Sequence, residues 1–100
     1  MPKQKQPKMH LANNAEHKQE FLTTLANELP PFIARKEIEH FLGGMISAKY
    51  MSNIDAQGEG PEVAYAVGRN VVYRRDSLLD WLGRKYSVQR LENIKSLSAL

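Results

Sequence analysis

The sequence predicts a mostly α-helical domain carrying one small β-hairpin, on three observations. Apolar residues recur at helical spacing in residues 21–29, 38–42 and 78–82. Two runs rich in β-branched and aromatic residues, 63–67 and 71–74, flank Gly68-Arg69-Asn70 and favour paired strands. Finally, Gly43-Gly44 and Gln57-Gly58-Glu59-Gly60-Pro61 interrupt any helix that reaches them. In chain order these features are two short helices around a glycine turn, a basic hairpin and a closing helix. That is the order of a winged helix-turn-helix, here with an added helix in front and a short one behind.

The first helix of the motif is read over residues 35–42, where Ile38, Phe41 and Leu42 fall at i, i+3 and i+4 and share one buried face. Gly43-Gly44 ends it, because glycine reaches the left-handed conformation at little steric cost. Met45 and Ile46 are expected to fill the corner beneath. Ser47 is an N-cap candidate for a second helix over residues 48–55, with Met51 and Ile54 inward. Lys49, Tyr50, Ser52 and Asn53 are left facing outward, either as a plain solvated face or as a surface that reads a partner.

In the hairpin, Gly68 supplies the positive φ of a tight turn and Arg69 and Asn70 are expected at the tip. Tyr65 and Tyr73 are expected to pack it. Asp76 or Ser77 should then cap the closing helix, with Ser77 and Asp80 spaced as a weak capping box. Leu78, Leu79, Trp81 and Leu82 of that helix face inward, and Phe32, Phe41 and Tyr73 are the aromatic residues expected to meet Trp81.

Taken together, these residues resemble the excisionase and AlpA-like branch of the MerR-type winged helix-turn-helix proteins. The resemblance spans residues 33–86, about half the chain. It rests on the glycine turn with a Ser-started second helix, on Gly-Glu-Gly-Pro, on Val-Gly-Arg-Asn-Val-Val-Tyr-Arg-Arg and on Asp-Ser-Leu-Leu-Asp-Trp-Leu. It departs from that pattern at Ala34, where a Ser or Thr cap is usual, and in the longer turn over residues 43–46. What it implies is a small prokaryotic or phage-type protein that binds duplex DNA, directing recombination as an excisionase or regulating transcription. The second helix would enter the major groove and the wing would meet the backbone.

By residue chemistry, Lys49, Tyr50 and Asn53 are the candidates for base contacts, since Lys donates to guanine acceptors and Asn pairs with adenine in a bidentate manner. Ser47, Ser52, Arg69, Asn70, Arg74 and Arg75 complete the candidate interface, positioning the domain largely through phosphates. Double-stranded DNA is the expected partner, with a recombinase or a second copy of the chain as further ones. The competing reading is a protein-interaction adaptor that recruits a recombinase without reading DNA itself.

Composition is compatible with that reading. One hundred residues with 42% apolar content suffice for one small domain, and the net charge is +3. Charge is unevenly spread: residues 35–68 hold three basic and five acidic residues, residues 69–90 six basic and two acidic. The positive field is therefore expected on the wing and closing helix. With no cysteine there is neither a disulfide nor a thiolate metal site. No apolar run reaches the ~20 residues needed to cross a bilayer, and the opening residues lack a signal core, so a soluble, cytoplasmic protein with no membrane partner is expected.

Four segments are anticipated. Residues 1–12, with Lys3, Lys5 and Lys8 and two prolines, read as a disordered basic arm. Residues 13–29 read as an added helix, opened by Asn13 and Glu16 and stopped by Pro30-Pro31. Residues 30–86 form the winged domain, and residues 87–100, with Val88, Leu91, Ile94 and Leu97 every third residue, an amphipathic tail. His10, His17 and His40 have no metal-binding or catalytic spacing, and no nucleophile stands with a partner base. Neither an enzyme, a cofactor nor a small-molecule substrate is expected.

Overall fold

Four α-helices and a three-stranded antiparallel sheet make up the chain, in a computed structural model that describes residues 6–91, with side chains described from Ala15 onward. The order is α1 (Gln6–Glu28), β1 (Phe32–Ala34), a 3-10 turn (Arg35–Glu37) running into α2 (Ile38–Phe41), α3 (Ala48–Ala56), β2 (Ala64–Val67), β3 (Asn70–Arg74) and α4 (Arg75–Lys85). No helix among the described residues is long and apolar enough to cross a membrane.

The helix α1 begins at Gln6, inside the stretch expected to be a disordered arm. Pro7 does not prevent this, because in a first helical turn its missing N–H has no intrahelical acceptor to lose. Asn13 therefore lies within the helix and does not open it. Phe21, Leu22, Leu25 and Ala26 of α1 pack against the buried core, and Leu29 just beyond is itself buried. Where α1 crosses α4, Gly83 leaves only enough room for Leu22: a Cβ there would lie 3.0 Å from Leu22 Cδ1. Lys18 Nζ donates to the Gly83 carbonyl at 2.6 Å at the same crossing.

The sheet has the order β1-β3-β2 and includes one strand the sequence does not suggest. Phe32-Ile33-Ala34 pairs antiparallel with β3, Ile33 opposite Tyr73, and the Arg75 N–H continues the ladder to the Pro31 carbonyl at 2.8 Å. Ile33 and Tyr73 face the core and are fully buried. Around them lie Ile38, Leu42, Ile46, Met51, Ile54, Leu78, Leu79, Trp81 and Leu82. Two expected core residues are not there. Phe41 and Met45 are exposed, because α2 is only one turn long and the chain reverses at Gly43 and Gly44 before either side chain can turn inward. Those glycines take φ of +62° and +86°, with the Gly44 N–H reaching the Glu39 carbonyl at 2.8 Å.

The closing helix starts at Arg75, earlier than a cap at Asp76 or Ser77 would allow. Its first N–H is taken by Pro31, so no side-chain cap is required there. Ser77, freed from capping, is buried and accepts the Val63 N–H at 2.8 Å. One turn later the Trp81 indole donates to the Glu59 carbonyl at 2.9 Å. These two side chains tie the loop leaving α3 to α4. The aromatic ring meeting Trp81 edge-on is Tyr86, at 6.0 Å, while Phe32 instead packs on Tyr65 at the surface. After Tyr86, residues 87–91 have no regular secondary structure, so the expected tail helix does not begin at Ser87; Ile94 and Leu97 lie outside the described residues.

Candidate nucleic-acid interface

Ser47 opens α3 as its residue type demands: the backbone is extended, at φ −93° and ψ 158°, and Oγ accepts the Tyr50 N–H at 3.0 Å. From that start, Met51 and Ile54 fall in the core. Lys49, Ser52, Asn53 and Ala56, at i, i+3, i+4 and i+7, form one exposed stripe on the opposite side. No hydrogen bond or ion pair among the described residues engages the side chains of Lys49, Ser52 or Asn53.

Tyr50 departs from its expected place. It is half-buried against the core rather than presented with Lys49 and Asn53. The neighbouring Tyr50 side chain, together with burial, pushes the Tyr86 pKa up to about 12. Helical geometry explains the difference, since Tyr50 lies on the same side as Ile54, one turn on.

At the hairpin, Val67 pairs with Asn70 and leaves a two-residue turn of Gly68 and Arg69, with Gly68 at φ +63°. Arg69 is thus at the tip, whereas Asn70 is the first residue of β3. Both are exposed. Arg74, at the other end of β3, is exposed as well, and neither arginine joins an ion pair among the described residues. Arg75 is turned to a structural task. Its Nη1 donates to the Leu29 carbonyl at 3.0 Å, tying α4 to the end of α1, and its buried Nε has no hydrogen-bond partner. Expected among the phosphate contacts, Arg75 is instead held under the loop at residues 29–31. Arg84 is likewise occupied, on Asp80 one turn back.

A three-residue network that sequence reasoning did not identify sets α3 against the sheet. Asp55 Oδ2 accepts from Arg35 Nη2 at 2.6 Å and from the Tyr73 hydroxyl at 2.5 Å, and Arg35 Nε donates to that same hydroxyl at 3.0 Å. The three residues come from the 3-10 turn, the end of α3 and the middle strand. Burial pushes the Tyr73 pKa up to about 12, with the hydrogen bond from Arg35 acting the other way and Asp55 adding to the rise. Arg35 is raised too, first by its hydrogen bond with Tyr73. Gly60 passes so close that a Cβ there would lie 1.9 Å from Asp55 Oδ1. The glycine, which reads in the sequence as a simple turn residue, is thus required for close approach.

The chain matches no protein-family model, no curated protein and no solved structure. Its own side chains must therefore carry the functional argument. Among the described residues no group of three or more His, Asp or Glu side chains is placed to hold a metal ion. What the surface offers is a polar, unoccupied helical stripe and a separate, exposed arginine-tipped hairpin. Such an arrangement can donate to base edges from a helix and to phosphates from a turn.

Proposed function

We propose that the protein is a winged helix-turn-helix that binds duplex DNA sequence-specifically, with α3 as the reading helix and the β2–β3 hairpin as the wing. The observation that carries this reading is the exposed stripe of Lys49, Ser52 and Asn53 on a Ser-capped helix whose other face is wholly in the core. Lys and Asn are the side-chain types that pair with guanine and adenine edges, and here both stand exposed on one helix face. Lys49 and Asn53 contact bases, Ser52 supports them, and Arg69 with Asn70 and Arg74 meets phosphates. Ser47 positions α3 through its cap, and Tyr50 and Arg75 are structural. The resemblance to excisionase and AlpA-like proteins adds the biological setting: a small prokaryotic or phage-type regulator or excisionase.

The exposed Glu37 and Glu39 beside α2 favour one second reading, an adaptor that recruits a recombinase through this acidic helix. Fluorescence-polarisation titrations with duplexes from the protein's own genomic region, at several salt concentrations, separate the two. DNA binding predicts an affinity that falls linearly in log-log form as salt rises, because each neutralised phosphate releases condensed counterion. Absence of binding even at low salt leaves the adaptor.

A further inference from the structure

We infer that β2 is the pairing edge for a second copy of this chain, joining two sheets into one six-stranded sheet about a two-fold axis through Tyr65. This inference does not rest on DNA binding, although it shares Arg69 with the proposed wing. It begins with the strand's position: β2 is at the edge of the sheet, bonded to β3 on one side only, and all four of its residues, Ala64–Val67, are exposed. Edge strands are normally blunted by being very short or by a charge, a proline or a bulge. Here Ala-Tyr-Ala-Val is short but has no charge, proline or bulge.

The backbone register determines which groups are free. Arg74 N–H donates to the Val63 carbonyl at 3.3 Å, so Val63 and Arg74 are a pair of the hydrogen-bonded type. Antiparallel ladders alternate. Tyr65–Val72 and Val67–Asn70 are then the next such pairs, and Ala64 and Ala66 turn both N–H and C=O toward the open side. A two-fold axis at Tyr65 sets Ala64 of one copy against Ala66 of the other, twice, which satisfies all of these groups with four hydrogen bonds. Centring on Ala66 instead would leave Ala64 opposite Gly68 of the turn.

The side chains suit the same arrangement. Tyr65 and Val67 lie on the outer face of the sheet with Phe32 and Val72, and Phe32, Tyr65 and Val67 are 53%, 45% and 57% exposed. About the axis, Tyr65 meets Tyr65 of the second copy and Val67 meets Val63, an uninterrupted apolar row. Only small Ala64 and Ala66 meet on the inner face. Charge is complementary at both ends, where Glu62 of one copy comes beside Arg69 of the other. That identity of needs, with uncharged strands and oppositely charged ends on one self-complementary edge, is what selects a second copy as the occupant.

Two measurements on the full chain test this. Sedimentation equilibrium should show a mass rising with concentration from 11.4 kDa toward twice that value. Ala66→Pro should hold it at the monomer mass with an unchanged melting temperature, because the Ala66 N–H points away from β3 and proline is tolerated on such an edge. In a chain without native cysteine, Tyr65→Cys should oxidise readily to a cross-linked dimer, since directly opposed residues of this pair type have Cα atoms about 4.5 Å apart, within disulfide reach. Asn27→Cys, exposed on α1, should not. A mass that stays monomeric at millimolar concentration, with Tyr65→Cys cross-linking no faster than Asn27→Cys, overturns the inference. A dimer that survives Ala66→Pro overturns it equally.

Discussion

Tyr73 donates its hydroxyl to Asp55 at 2.5 Å, joining the middle strand of the sheet to the end of α3. Because Arg35 grips both partners, the 3-10 turn before α2, the end of α3 and the middle strand share one hydrogen-bonded node. The orientation of α3, and with it of Lys49 and Asn53, is therefore tied to the sheet by these three residues.

Asp55→Ala removes the acceptor and leaves Arg35 and Tyr73 without their common partner. The expected cost is about 1–3 kcal/mol, the penalty for part-buried donors left unpaired. Gly60→Ala should destabilise by a similar route, because its Cβ displaces the Asp55 carboxylate. Denaturation of the two single variants and the double variant checks the linkage. In the Asp55→Ala background the effect of Gly60→Ala should shrink, as expected for residues acting through one contact; strict additivity would contradict this.

Alkali should loosen the same node. The Tyr73 pKa is about 12 when folded against an ordinary value of 10.0, so its contribution is fully present below pH 10 and is lost as pH rises toward 12, where the unfolded chain ionises first. Urea midpoints measured from pH 8 upward should fall above pH 10. Tyr86 titrates in the same window, so the comparison that counts is with Tyr73→Phe, whose midpoint should be lower at pH 8 but decline less steeply.

Trp81→Ala should cost about 3–5 kcal/mol, as for other buried large aromatics, and shift the thermal midpoint by many degrees. The fold makes a finer expectation possible. Trp81→Phe keeps an aromatic ring but loses the N–H to Glu59 and part of the indole's volume, a smaller change of about 1–3 kcal/mol. Circular-dichroism melts of both variants test it, and equal losses would mean that the hydrogen bond, not the ring, is what matters.

Much of this architecture is legible in the sequence because it is local. The Ser47 cap, the inward Met51 and Ile54, the glycine turn and the Gly68 hairpin all follow from residues within a few positions of one another. What escapes is held by distant partners. The strand β1, three residues long and directly after two prolines, is too short for any periodicity and exists because β3 accepts it 40 residues later, at the Ile33–Tyr73 pair. Ser77 looks like a cap until Pro31 takes the Arg75 N–H, and Arg75 looks like a free cation until Leu29 takes its guanidinium. Tyr50 was separable from Lys49 and Asn53 by helical phase alone, since it shares the side of Ile54. The Arg35–Asp55–Tyr73 node carries no local signal beyond the glycine at position 60.

Arg69→Ala and Asn53→Ala should impair DNA binding in different ways. Loss of the wing arginine should weaken binding to all duplexes alike and make the salt slope shallower by about one unit. Its signature is a change in non-specific affinity with the preference between sequences retained.

The central claim, that α3 reads DNA sequence through its exposed stripe, is tested most directly by selecting a preferred duplex from a random pool and titrating it beside a scrambled one with wild type and Asn53→Ala. The account predicts a clear preference in the wild type that Asn53→Ala lowers by about 1–3 kcal/mol, with folding unchanged. A wild type that enriches no sequence, or an Asn53→Ala variant that discriminates as well as the wild type, would contradict it.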